Sequence, residues 1–244
     1  MLSVKQKEKN KKFPKIIFED EDFFVFDKPP SWIVDDSKST KGRDVIESWL
    51  RENFDYEIAK NKEERSGVVH RLDKETSGIL LVAKNTKTLK DLQSQFKGRM
   101  VEKTYTALAH GEVFLKKGTI KVPVGRLPWN RERFGVLPGG KKATTDYKVT
   151  NYYQKDGEKF SLLSLTPQTG RTHQIRIHLK HLGNPVVSDE FYAGRKTAKK
   201  DRAWCPRLFL HALEISFTHP TTKKRVVFKS KLPRDLVEAL EKLS

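Results

Sequence analysis

Apolar residues open the chain in short runs. Ile16-Ile17-Phe18 is cut by the acidic stretch Glu19 to Asp22 and resumes as Phe23-Phe24-Val25-Phe26, ending in Asp27-Lys28-Pro29-Pro30. This pattern predicts two short strands and a proline-stopped loop. From Asp44 to Phe54 the spacing becomes helical, with Val45, Ile46, Trp49 and Leu50 on one stripe. Leu89, Leu92 and Phe96 form a second stripe behind Asn85, which can cap it. Between the two, Ile79-Leu80-Leu81-Val82-Ala83 is apolar throughout and short, as expected of a buried strand.

The middle of the chain is strand-rich. Thr104 to Ala109, Thr144 to Tyr153 and Phe160 to Thr166 carry β-branched or aromatic residues separated by Gly and Asp, which predicts strands. Thr172 to Leu182 reads as a helix with Thr172 as cap, Ile175, Leu179 and Leu182 as core stripe and Gly183 as stop. Strands follow at Leu208 to Phe217 and Arg225 to Lys229. A last helix opens on Pro233 and is expected to bury Leu236, Val237, Leu240 and Leu243. Arg126 to Lys142, rich in Pro, Gly and basic residues, is expected to be a loop over the substrate. Strands come in runs and do not alternate regularly with helices. The fold class is therefore α+β, with a mixed, mostly antiparallel central sheet and flanking helices. No Gly/Ser linker or fixed-period repeat divides it, so a basic tail at residues 1–15 and one domain at 16–244 are expected.

Charge adds a partner. Lys and Arg number 49 against 31 Asp and Glu, a net charge of +18, which points to a polyanion such as nucleic acid. Lys5, Lys7, Lys9, Lys11 and Lys12 make the tail a solvated basic segment that touches RNA non-specifically. The single cysteine, Cys205, excludes an intramolecular disulfide and a cysteine-based zinc cluster. The seven histidines are scattered, and His178 with His181 lacks a third ligand at a usual spacing, so no metal is expected. No signal peptide or membrane span is evident, which makes the cytoplasm the expected location.

Three segments set charged or polar residues against apolar flanks: His70-Arg71-Leu72-Asp73-Lys74-Glu75-Thr76-Ser77-Gly78, Lys103-Thr104-Tyr105, and Thr169-Gly170-Arg171-Thr172-His173-Gln174-Ile175-Arg176. Asp73 precedes a turn and a buried strand, so it sits on a loop at a sheet edge, where sites are commonly built. Taken alone, an aspartate before Thr-Ser-Gly fits an ordinary turn equally well. His173 and Arg176, at i and i+3, share a helix face distinct from that of Ile175 and Leu179.

Together these segments resemble the RluA family of pseudouridine synthases. His70-Arg71-Leu72-Asp73 followed by Thr76-Ser77-Gly78-Ile79-Leu80-Leu81-Val82-Ala83-Lys84 is similar to its signature, and Gly170-Arg171-Thr172-His173-Gln174-Ile175-Arg176-Ile177-His178-Leu179 is a second match. Glu19-Asp20-Glu21 leading to Lys28-Pro29, Lys103-Thr104-Tyr105, Leu210-His211-Ala212 and His219-Pro220 agree in family order. Two places depart from the pattern. Ser31-Trp32-Ile33-Val34-Asp35 stands where the family commonly shows Gly and a downstream His, and Ser188-Asp189 stands for Gly-Asp. Residues 1–15 are too few for the S4-type RNA-binding domain of many relatives, so a stand-alone catalytic domain is expected.

The resemblance implies a cofactor-free isomerisation of uridine in ribosomal or transfer RNA: the N1–C1′ bond breaks, the uracil turns and rejoins through C5. Asp73 then supplies an ionised carboxylate that attacks the sugar or assists glycal formation. Arg176 is implied as its salt-bridge partner, keeping it charged in a partly dry pocket. Tyr105 is implied to stack on the uracil and to take the C5 proton, directly or through water, and Leu210 to pack under the base. A target uridine must leave its stack, and Arg71 is the candidate to fill the gap or to hold a phosphate. His70, Arg171 and His173 read as RNA contacts or structural supports. Lys28, the Arg126 to Arg133 loop and the Arg195 to Arg207 stretch read as phosphate contacts. A monomer is expected. The rival readings are a metal-independent ribonuclease using His70 and His173, and a catalytically silent RNA-binding or ribosome-assembly protein.

Overall fold

A computed structural model describes residues 12–128 and 130–244; the lysines at 5, 7, 9 and 11 lie outside the described residues. The chain divides into two compact units, Met1–Lys90 and Asp91–Ser244.

The first unit carries β1 (Lys15–Glu19), β2 (Phe23–Lys28) and β3 (Ser77–Ala83), paired antiparallel in that order. The acidic break is a turn. Asp20 Oδ1 accepts the amides of Asp22 and Phe23 at 2.8 and 2.9 Å, the local bond that makes Asp a turn residue. Every residue of β3 is buried, as its unbroken apolar run requires. Helix α1 (Ile46–Asn53) buries Ile46 and Leu50, and Trp49 meets Phe26, Trp32 and Phe54 edge-on. Asn85 caps α2 (Thr86–Lys97) as expected, its Oδ1 accepting the Thr88 amide at 2.8 Å.

The second unit is built on β4 (Glu102–His110), β5 (Lys117–Lys121), β8 (Thr144–Lys155), β9 (Glu158–Pro167), β10 (Leu210–Thr218) and β11 (Arg225–Lys229). They pair antiparallel in the order β11-β10-β4-β9-β8-β5. Leu163, Leu165, Phe160 and Leu108 of this sheet pack with Ile175 and Leu179 of α3 (Gln174–His181) and with Leu236 and Ala239 of α5 (Arg234–Glu241). Helix α4 (Arg195–Asp201) lies between α3 and β10 in sequence. The α+β class with a mostly antiparallel sheet is the observed one. Among the described residues no helix is long and apolar enough to cross a membrane.

Four local expectations are corrected. Arg126 to Lys142 is not a loop: β6 (Val124–Leu127) and β7 (Asn130–Val136) form a hairpin whose Phe134 packs with Ile177 and Tyr192. Its glycines disguised it; at Gly140, just past β7, a Cβ would meet the backbone of Leu137 and Val124 at 2.9 Å, so the close approach there requires glycine. Helix α3 begins at Gln174 rather than behind a Thr172 cap, because His173 occupies the cap position with a left-handed φ of 56°. Leu182 and Val237 are each 37% exposed and lie off the core stripe. Ala239 of α5 is buried in the main core, and Ile177 of α3 is buried in a separate cluster with Val124 and Ala143.

Within α3, His178 is fully buried and neither ring nitrogen has a hydrogen-bond partner. Burial pushes its pKa down from 6.5 to about 4, against a weaker pull from the Val122 backbone and with His181 adding to the depression. Between those values the unfolded chain takes a proton that the folded one refuses. Stability present at neutral pH is therefore lost as pH falls through this window, and the loss levels off below it. We predict that His178→Leu removes roughly 3 kcal/mol of this dependence, read from denaturant melts at pH 7 and pH 4. A variant as acid-sensitive as the parent would assign the titration to another group.

Candidate active site

The motif loop of the first unit is fixed at both ends. His70 Nε2 accepts the Leu81 amide of β3 at 3.1 Å, which makes that nitrogen an acceptor and the ring a brace. Leu72 is buried, Asp73 is half-buried, and the Asp73 carbonyl accepts the Thr76 amide at 3.1 Å. The next carbonyl, that of Lys74, receives two donors. The Ser31 amide reaches it at 2.8 Å and Lys28 Nζ at 3.3 Å.

Lys28 corrects the sequence reading. It is fully buried, and its ammonium also donates to Pro29 O at 2.9 Å and Trp32 O at 3.0 Å. A charge so enclosed is spent on backbone carbonyls, so Lys28 is a clamp on the Asp73 loop and not a phosphate contact. Arg71 does face solvent, and it pairs with Asp35.

In the second unit Tyr105 is half-buried on β4, opposite Leu165 of β9 and Ala212 of β10. The β4–β10 register shifts between Ala212 and Glu214, a bulge of the kind that re-aims side chains beside sites. Leu210 is buried at the start of β10, opposite Ala107, within the main core.

Gln174 sets the entry to α3. Its Oε1 accepts the Thr169 hydroxyl at 2.7 Å and the Arg171 amide at 3.0 Å, while Nε2 donates to Thr144 O and Thr145 Oγ1 at 2.9 Å each. Arg171 itself is exposed, with Nε 3.3 Å from Lys142 O. His173 Nδ1 lies 3.0 Å from the Tyr192 hydroxyl, which donates its one hydrogen to Phe134 O at 3.1 Å. The network therefore assigns the Nδ1 hydrogen to His173.

Arg176 is buried and held by a partner that the sequence reading missed. Its Nε and Nη2 donate to Asp189 Oδ2 and Oδ1 at 2.7 and 2.8 Å. The guanidinium also lies 5.6 Å and 5.1 Å from the ring centres of Phe191 and Tyr192. Asp189 is fixed in turn, its Oδ1 accepting the Phe191 and Tyr192 amides at 3.0 and 3.2 Å. Ser188-Asp189 was read only as a departure from a family Gly-Asp, and nothing in the spacing linked it to Arg176. The Arg195 to Arg207 stretch is mixed. Arg195, Lys196 and Lys199 are exposed, whereas Arg207 is buried and forks onto Asp235 at 2.7 and 3.1 Å, which removes it from the phosphate contacts.

A family model described as RNA pseudouridylate synthase matches residues 22–181. The uncharacterized RNA pseudouridine synthase YlyB of Bacillus subtilis is 36% identical over 228 residues, 93% of this chain and 72% of its own length. A ribosomal large subunit pseudouridine synthase D of Nitrosomonas europaea is 36% identical over 234 residues, 93% of this chain and 64% of its own length. Among solved structures, human RNA pseudouridylate synthase domain containing 1 aligns with a TM-score of 0.71 at 29% identity, over 91% of this chain and 84% of that one.

The two roles assigned to Lys28 and Arg71 separate in one experiment. Lys28→Met is expected to cost about 2–4 kcal/mol of stability, because three carbonyls lose a charged donor. It should leave the salt dependence of RNA binding unchanged. Arg71→Gln should leave stability nearly unchanged and reduce the slope of log affinity against log salt by about one. The opposite pattern would return Lys28 to the phosphate contacts.

Proposed function

The chain belongs to the RNA pseudouridylate synthase family, and we propose that it acts as an RluA-type isomerase of uridines in ribosomal or transfer RNA, with Asp73 as nucleophile. The observation that carries this reading is the motif around Asp73 within the matched span, on a loop pinned by His70 and Lys28. The Nitrosomonas relative, named for the large ribosomal subunit, inclines the substrate toward ribosomal RNA.

The chemistry follows from what the residues can do. The Asp73 carboxylate opens the N1–C1′ bond, by attack on the sugar or by assisting glycal formation. Arg176, by motif resemblance its partner, offers a fixed positive charge to the carboxylate. Because Nε and Nη2 are committed to Asp189, the direction in which Nη1 points is set in advance, and a preset cation costs little reorganisation during reaction. Tyr105 stacks on the uracil and receives the C5 proton, directly or through water, and Leu210 supports the base from the core. Arg71 fills the gap left by the flipped uridine or holds a phosphate. Arg171 and His173 border the second motif as RNA contacts or supports. The isomerisation is redox-neutral and needs no cofactor, and residues 16–244 act as one cytoplasmic, monomeric catalytic domain. A ribonuclease using His70 and His173 fits less well, because His70 Nε2 is already occupied by the Leu81 amide.

Bulk ribosomal RNA tritiated at uracil C5 tests the proposal. Wild type is expected to release tritium while RNA length and mass stay constant, and Asp73→Asn to lose about a thousand-fold or more of the rate. Equal release by both proteins would remove Asp73 from its role. Shortened RNA would make the ribonuclease reading correct, and no release from either would favour a silent binding protein.

A further inference from the structure

Arg71 is exposed, yet its charge is already engaged. Nη1 lies 2.5 Å from Asp35 Oδ2, with the arginine side chain 60% exposed and the aspartate 28%. Asp35 is anchored from the other side. Its Oδ1 takes Nη2 of Arg65, and Arg65 Nε donates to Glu47 Oε1 at 2.9 Å. Glu47 is buried on α1, and its second oxygen accepts the Asp36 amide at 2.9 Å. The carboxylate of Asp35 is thus tied to the body of the unit by a chain of charged pairs, and it stays in place when Arg71 leaves it.

We infer that Asp35 is a specificity residue that holds Arg71 in the free protein and competes with RNA for it. The inference rests on the reading of this chain as an RNA enzyme. An exposed ion pair is weak, so a phosphate or an opened base step can displace it. RNA must break that pair before it gains the arginine, a competing contact of the kind that sharpens discrimination. RNA that recruits Arg71 offsets the lost pair with a new charged contact. RNA that docks elsewhere on the basic surface gains no such return, so a chain of net charge +18 binds non-target RNA less tightly than its charge alone would dictate.

A double-mutant cycle on the full chain tests this, with poly(U) as a non-specific probe at fixed salt. Asp35→Asn is expected to tighten binding by about three- to ten-fold when Arg71 is present and to have little effect in the Arg71→Gln background. Asp35→Glu keeps the charge and is expected to bind as wild type. Arg65 retains Glu47 in all these variants, so folding should persist; Asp35→Ser closes the same cycle if the amide variant melts early. Equal tightening in both backgrounds would make Asp35 a general repeller of RNA, and no tightening would remove the competition; either overturns the inference. The cycle reads binding alone, whereas tritium release decides the isomerase reading, so failure of one is seen apart from failure of the other.

Discussion

The buried ammonium of Lys28 is the constraint on which the motif loop depends. A cation at the inner end of a strand is tolerable only if its donors are all taken, and the carbonyls of Pro29, Trp32 and Lys74 take them. That requirement holds two loops together, the proline-stopped exit of β2 and the segment that carries Asp73. His70 adds a second tie from the same segment to β3. A carboxylate proposed to act on a ribose must be held to within a fraction of an ångström by surroundings that are themselves locked, and these bonds supply such surroundings from backbone and charge.

Arg176 follows the same rule with the signs exchanged. Here the buried cation is the group of interest and the carboxylate of Asp189 is its support, itself fastened by two amides. The neighbouring Ser188 amide and His110 Nε2 both reach Asp201 Oδ2, at 2.8 and 2.9 Å. The turn that carries Asp189 is thereby pinned on both sides. Local left-handed conformations at Ser188 and His173 cost a little each, and the surrounding bonds over-determine them.

How much of this could be read from residues alone depended on range. Short apolar runs located β2 and β3, and helical spacing located α1 and the Asn85 cap, because those signals lie within a few positions of each other. The motifs around Asp73 and Arg176 were equally legible, since resemblance needs only local order. What escaped were pairs set by tertiary structure. Nothing in the spacing joins Asp35 to Arg71 or Asp189 to Arg176, and nothing in Lys28 distinguishes a buried clamp from a surface phosphate contact until β2 is placed with its last residue inward. The β6–β7 hairpin escaped for another reason. Its glycines serve close packing, whereas in a sequence glycine with proline reads first as a loop.

The fate of the basic residues limits what net charge can mean. Lys28, Arg176 and Arg207 are buried and bound to carbonyls or carboxylates. They belong to the fold's own electrostatics and contribute little to a field felt by RNA. Arg195, Lys196, Lys199 and Arg171 remain exposed and can release counterions from a phosphate backbone without reading sequence. Arg71 stands between these groups, exposed like the second and paired like the first. A cation in that intermediate state can change partners at low cost, which neither a buried clamp nor a free surface lysine can do. Discrimination among RNAs is therefore better sought in such exchangeable pairs than in the size of the positive charge.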